Sequence, residues 1–196
     1  MKKTIIIAAT FFLMLNAKAQ STHFGVKGGL NASSLNYEGN SDMQSKIGFN
    51  VGLLAHIHTG NEFWAFQPEV YYSSEGAKSK SNSNVSLNLG YINVPVLIQY
   101  MFSNGFRLEA GPQVGFLMTA KSKLSDNSTD IKNDMQSVVF SIPAGISYLT
   151  MTGLGFDARY NFGVSNIYKS TSPVKTRSNV FQFDIFYQFG GPKVSR

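Results

Sequence analysis

The run FQFDIFYQF, residues 181–189, alternates two kinds of side chain. Phe181, Phe183, Ile185, Tyr187 and Phe189 occupy one phase, while Gln182, Asp184 and Gln188 fall in the other. A period of two is the signature of a β-strand whose faces meet different surroundings. One face must be apolar, and the other must accept an aspartate.

Seven other segments repeat the rule: 24–32, 47–57, 64–72, 92–102, 106–118, 138–148 and 154–164. Their apolar phases carry residues such as Leu30, Phe49, Val70, Ile98, Leu108, Ile146 and Phe162, and no charge falls on any of them. The mid-strand charges, Lys27, Glu69, Arg107, Glu109, Asp157, Arg159 and Asp184, all lie in the opposite phase, which also collects most of the strand glycines. Composition agrees. The 196 residues include 16 Phe, 9 Tyr and 18 Gly with only 14% charged, against roughly 25% in ordinary soluble domains. The expected fold is all-β: an eight-stranded antiparallel up-and-down transmembrane β-barrel.

The same alternation would also suit a soluble lipocalin-like barrel with its apolar phase inside. That assignment leaves seven charges over eight strands as the whole strand exterior, too few for solubility. It also puts the glycines on the outside, whereas the crowded concave side of a small barrel is the one that needs them. With the apolar phase toward lipid, closure of the barrel satisfies the strand backbones without an open edge.

Lys2 and Lys3 precede an apolar run from Ile5 to Leu15, and Ala17-Lys18-Ala19 provides the small residues of a cleavage site. Residues 1–19 therefore read as a secretory signal peptide, too short for a spanning helix, and 20–196 as the barrel domain. Loss of Lys2, Lys3 and Lys18 lowers the formal charge from +6 to +3. The remaining cations form no basic stripe with interleaved aromatics, so no nucleic-acid partner is expected. The chain has no Cys, which excludes disulfides and thiolate metal sites.

Short connections with Gly or Asn (59–62, 103–105 and 151–153) alternate with long polar ones (about 36–46, 74–88, 120–136 and 165–179). In outer-membrane barrels short turns face the periplasm and long loops face outward, so both termini should be periplasmic. Phe24, Trp64, Phe102, Phe106, Tyr148, Phe156 and Phe189 then lie near the periplasmic strand ends, as an interfacial aromatic girdle would. Partners expected from this placement are outer-membrane lipids and lipopolysaccharide, with a protein partner at the external loops. The fourth loop, with Lys169, Lys175 and Arg177, lacks an acid.

The motifs, taken together, resemble the PorT-like outer-membrane β-barrel family, whose members are often labelled porin family proteins. The resemblance rests on Gly25-Val26-Lys27-Gly28-Gly29-Leu30-Asn31, Phe66-Gln67-Pro68-Glu69-Val70-Tyr71-Tyr72-Ser73, Tyr91-Ile92-Asn93-Val94-Pro95-Val96, Gly111-Pro112-Gln113-Val114-Gly115-Phe116-Leu117 and Arg159-Tyr160-Asn161-Phe162-Gly163-Val164-Ser165-Asn166-Ile167. It implies an eight-stranded outer-membrane barrel and transfers no catalytic residues; by family analogy alone, an accessory component of a protein-export system is an alternative role. Tyr187-Gln188-Phe189 is similar to the aromatic signal read by the barrel-assembly machinery, although Gly190 to Arg196 follow it.

Eight strands enclose a lumen that side chains fill, so the seven inward charges are expected to form a paired polar plug, with a narrow channel lining as the alternative. His56 and His58 share the inward phase near a turn, and His23 begins the first strand; they read as polar filling, not metal ligands. No cofactor is expected. The apolar phase offers no Ser, His or acid from which a lipid-modifying site could be built, so no enzymatic activity is expected.

Overall fold

Backbone pairing in the computed structural model joins every predicted segment to two neighbours. Residues 22–37, 43–79, 85–124, 127–169 and 176–190 are described; the expected leader at 1–19 lies outside them. The strands are β1 (Thr22–Tyr37), β2 (Met43–His58), β3 (Trp64–Ser79), β4 (Val85–Met101), β5 (Phe106–Ala110), β6 (Gln113–Leu124), β7 (Asn127–Asp130), β8 (Val138–Leu149), β9 (Leu154–Gly163) and β10 (Thr176–Gln188). All pairs are antiparallel, and β1 meets both β2 and β10, which closes the ring.

The ring has eight places, because β5 and β6 share one. Ile98 pairs with Ala110, and Pro95 with Gln113, so β4 keeps a single register across Gly111-Pro112. Pro112 has no N–H to give the ladder, yet Val96 N–H donates to its carbonyl at 3.0 Å and Gly111 N–H donates to Pro143 O at 3.1 Å. The segment expected to run unbroken through 106–118 is thus interrupted in hydrogen bonding but not in position. β7 pairs only with β6 and forms a hairpin beyond the ring.

The register fixes the barrel's shape. From Thr22 the successive partners are Ile57, Phe66, Ile98, Ala110, Ala144, Tyr160 and Phe181, and the last meets Ala32. One circuit therefore climbs ten residues along β1. With about 3.3 Å per residue and ~4.8 Å between strands, the strands tilt about 40°. The nine residues from Phe24 to Ala32 then rise roughly 23 Å, close to the apolar band of an outer-membrane barrel.

The faces divide as a membrane barrel requires. Gln182 and Asp184 have 0% exposure, while Phe181, Phe183 and Ile185 keep 49, 51 and 50%. An apolar exterior with charges sealed inside is the inverse of a soluble barrel.

Inward glycines make room for the large polar side chains. Gly29 pairs with Asp184, Gly52 with Tyr71 and Gly145 with Arg159. A Cβ on Gly145 would sit 2.4 Å from Ala158 O and 2.7 Å from Arg159 Cγ. Small residues thus stand opposite bulky ones across the ladder.

Strands reach further into the expected loops than the sequence suggested. β3 and β4 stay paired from Ser73–Tyr91 to Lys78–Ser86, so most of the expected 74–88 loop is strand. Polar residues there keep the two-residue alternation, and Ala77, Leu87 and Leu89 turn inward. They join Leu35, Tyr91, Leu117, Ala120, Met135 and Ile167 in a buried apolar cluster. Met135 and Ile167 come from long connections that fold back, with Gln136 N–H donating to Ile167 O at 2.8 Å and Ile167 N–H to Thr176 O at 3.0 Å. A smaller cluster of Leu54, Leu149 and Phe186 fills the short-turn end. The interior expected to be polar is layered instead, because inward positions near both ends are apolar.

Gly145→Ala should cost about 1–3 kcal/mol as an overpacked site, lowering the urea midpoint of the detergent-folded barrel. Outward Ala144→Val should leave that midpoint within error.

Candidate functional site

Six of the seven predicted inward charges meet in one belt. Arg159 on β9 donates through Nη1 and Nη2 to the two carboxylate oxygens of Glu69 on β3, both at 2.9 Å. Its Nε donates to Glu109 Oε1 at 2.6 Å and to Asp157 Oδ2 at 2.9 Å. Lys27 Nζ lies 3.0 Å from Glu69 Oε2 and 2.8 Å from Asp184 Oδ2. Because β3 and β9 stand on opposite sides of the ring, the Arg159–Glu69 pair crosses its diameter. The bidentate fork suits a planar guanidinium and a carboxylate.

Neutral groups complete the belt. Gln67 donates to Glu69 Oε1 at 2.8 Å, Gln99 to Glu109 Oε2 at 2.7 Å and Asn50 to Asp184 Oδ1 at 2.6 Å. Lys27 Nζ stands 5.0 Å from the centroid of the Tyr71 ring, a cation–π distance. Tyr71 leads to a second layer toward the long loops: its hydroxyl is 2.8 Å from Gln113 Oε1 and 3.1 Å from Gln182 Oε1. There Gln113 also donates to Ser141 Oγ at 2.9 Å, and Asn31 donates to Ser73 Oγ at 2.8 Å.

Arg107 stands apart from the belt. It is 5% exposed, makes none of the ion pairs among the described residues, and its Nη1 is buried without a hydrogen-bond partner. Its place is the short-turn end, where all three histidines also gather. The His56 and His58 rings lie 4.7 Å apart and the His23 and His58 rings 6.1 Å apart. Among the described residues no three His, Asp or Glu are disposed to hold a metal ion.

A fifth inward carboxylate, Glu75, escaped the sequence reading because it fell in the expected second loop. The signal was present: Tyr71, Ser73, Glu75 and Ala77 continue the inward phase of β3, and all four are buried. Glu75 accepts from Ser73 Oγ at 2.9 Å and Ser178 Oγ at 3.2 Å.

Outside the ring, the seven aromatics expected at the short-turn end are between 36% and 60% exposed. Trp64 meets Tyr100 at 5.0 Å, Tyr100 meets Phe102 at 5.1 Å, and Phe106 meets Tyr148 at 5.0 Å. Tyr148 is the cross-strand partner of Phe156, and Phe189 N–H donates to Phe24 O at 2.7 Å. Phe63, Tyr100 and Tyr187 extend these contacts. Nearer the long loops, Phe49 pairs with Tyr72 and Tyr160 with Phe162.

A closed antiparallel ring with an apolar outer band, exposed charges only toward its ends and buried ion pairs is a membrane β-barrel. The chain belongs to the outer membrane protein beta-barrel domain family, whose model matches residues 18–169; β10, which closes the ring, lies beyond that match. It is therefore an integral outer-membrane barrel. The fold is shared with Neisserial surface protein A (NspA), at 16% identity and a TM-score of 0.60, over 86% of this chain and 99% of that one. It is shared also with Ail, the attachment invasion locus protein of Yersinia pestis, at 14% identity and a TM-score of 0.55, over the same shares. No match was found among curated protein sequences.

Arg159→Met would leave Glu69, Glu109 and Asp157 buried without their shared cation. Removing one partner of a buried pair costs about 3–5 kcal/mol. The loss should appear in urea unfolding from lipid vesicles, whereas the exposed Lys123→Ala should not move the midpoint.

Proposed function

We propose that this protein is a closed, non-enzymatic outer-membrane barrel whose lumen is plugged by the ionic belt and whose external rim serves attachment. The observation that carries the reading is the Arg159–Glu69 pair across the ring diameter. Lys27, Glu109, Asp157 and Asp184 brace it, and buried charges so compensated are costly to separate. The apolar clusters above and below add two further barriers to water and ions. In this reading residues 1–19 are a cleaved leader, the short turns are periplasmic, and the aromatic rings sit at the two membrane interfaces. The PorT-like affiliation belongs to the same reading, as does assembly by the barrel-assembly machinery.

The rim supplies the partner chemistry. Lys78, Lys121, Lys123, Lys132, Lys169 and Arg177 are exposed at the long-loop end, against exposed Asp130 and Asp134 among the described residues. An excess of cations at the outer leaflet favours the phosphates of lipopolysaccharide, with a partner protein above them as the further role.

Purified, folded protein in a planar lipid bilayer should stay electrically silent. Steady single-channel conductance from the folded protein would overturn the plug and make the belt residues a channel lining. Replacing Lys121, Lys123, Lys132 and Lys169 by Gln should weaken lipopolysaccharide binding at low salt, and wild-type binding should fall as salt rises. Binding unaffected by both changes would remove the rim from that role.

A further inference from the structure

Between the neutral layer and the apolar cap lies a cavity of about 20 Å³, lined in part by Glu75, Tyr91, Asn93, Ser141, Asn161 and Ser178. It has room for one water-sized species. Its lining also includes half-buried Ser165 and exposed Phe140.

The polar atoms around it are unevenly satisfied. Glu75 is 6% exposed, and among the described residues its carboxylate accepts from neutral donors alone, Ser73, Asn93 and Ser178, at 2.9, 3.3 and 3.2 Å. None of the ion pairs among the described residues reaches its carboxylate. The ammonium of Lys46 donates instead to the Glu75 backbone oxygen at 3.2 Å. Two of the lining residues, Tyr91 and Asn161, carry side-chain oxygens, Oη and Oδ1, that are buried with no partner among the described residues.

Charge decides between the two species of that size. The buried carboxylates Glu69, Glu75, Glu109, Asp157 and Asp184 outnumber the buried cations Lys27, Arg107 and Arg159. A water would satisfy the orphaned oxygens only beside a Glu75 that has taken up a proton, because a buried carboxylate without a counter-charge is neutralised; an ionised Glu75 calls for a cation. A cation serves the orphaned oxygens as well. Hard divalent ions gather several carboxylates, whereas here one carboxylate stands among neutral oxygens. We propose that this cavity binds a monovalent cation, with Glu75 as its charged ligand and Tyr91 Oη and Asn161 Oδ1 as neutral ligands. The bound ion joins β3, β4 and β9 beneath the cap, independently of whether the belt below conducts.

The test compares urea unfolding of the full-length, detergent-folded protein in sodium chloride and in choline chloride at equal ionic strength. A ligand that binds only the folded state raises its stability with concentration. The wild-type midpoint should therefore rise as sodium replaces choline, and Glu75→Gln should abolish the rise. Tyr91→Phe, which removes only the hydroxyl, should weaken the response several-fold and keeps the test decisive if Glu75→Gln fails to fold. Sodium-23 line broadening by the folded protein should follow the same order. Equal wild-type midpoints in both salts, or a sodium response unchanged in Tyr91→Phe and Glu75→Gln, would overturn the site and leave the cavity to water.

Discussion

A strand in hydrocarbon has no water to satisfy its N–H and C=O groups, so each strand must find hydrogen-bonding neighbours on both sides. Everything else here depends on that constraint. Closing eight places into a ring requires a stagger, here a ten-residue climb per circuit from Thr22 to Ala32, and strand number and climb together set the tilt and the bore. A bore of that size is filled by side chains. The inward phase must therefore pack like a protein interior, although the chain spells it largely in polar residues.

Packing charges at that density requires both partners and space. The partners are the four carboxylates around Lys27 and Arg159. Glycine provides the space, since Asp184, Tyr71 and Arg159 each face one across the ladder. The alternation of bulk explains why glycines accumulate on the charged phase. A methyl group at Gly145 would displace the arginine on which three carboxylates depend.

The interior changes character along its length. At the short-turn end Leu54, Leu149 and Phe186 lie near Arg107 and the histidines; at the other end Leu35, Leu87, Leu89, Leu117, Met135 and Ile167 close over the polar layers. Two of those cap residues come from connections that fold back. The long connections thus help to cover the polar layers at that end of the ring. Exposed cations stand on those same segments and are tied to backbone there: Lys132 donates to Met118 O at 2.8 Å, and Lys169 donates to Asn133 O.

Strand number, face assignment and the inward set of seven charges were legible in the chain because side chains on a strand alternate with a strict period of two. A charge among large apolar neighbours, as at Asp184, cannot face lipid, so its phase alone marks it as interior. Period says nothing about which inward residues touch, because register and stagger arise only when the ring closes. The sequence therefore grouped Arg107 with the belt, from which the structure separates it, and could not reveal that Glu69 reaches Arg159 across the axis. Glu75 was hidden by composition: Ser, Lys and Asn around it read as loop, while pairing with β4 carried the strand on. Met135 and Ile167 lie outside the strand periodicity, so only the folded connections could place them in the core.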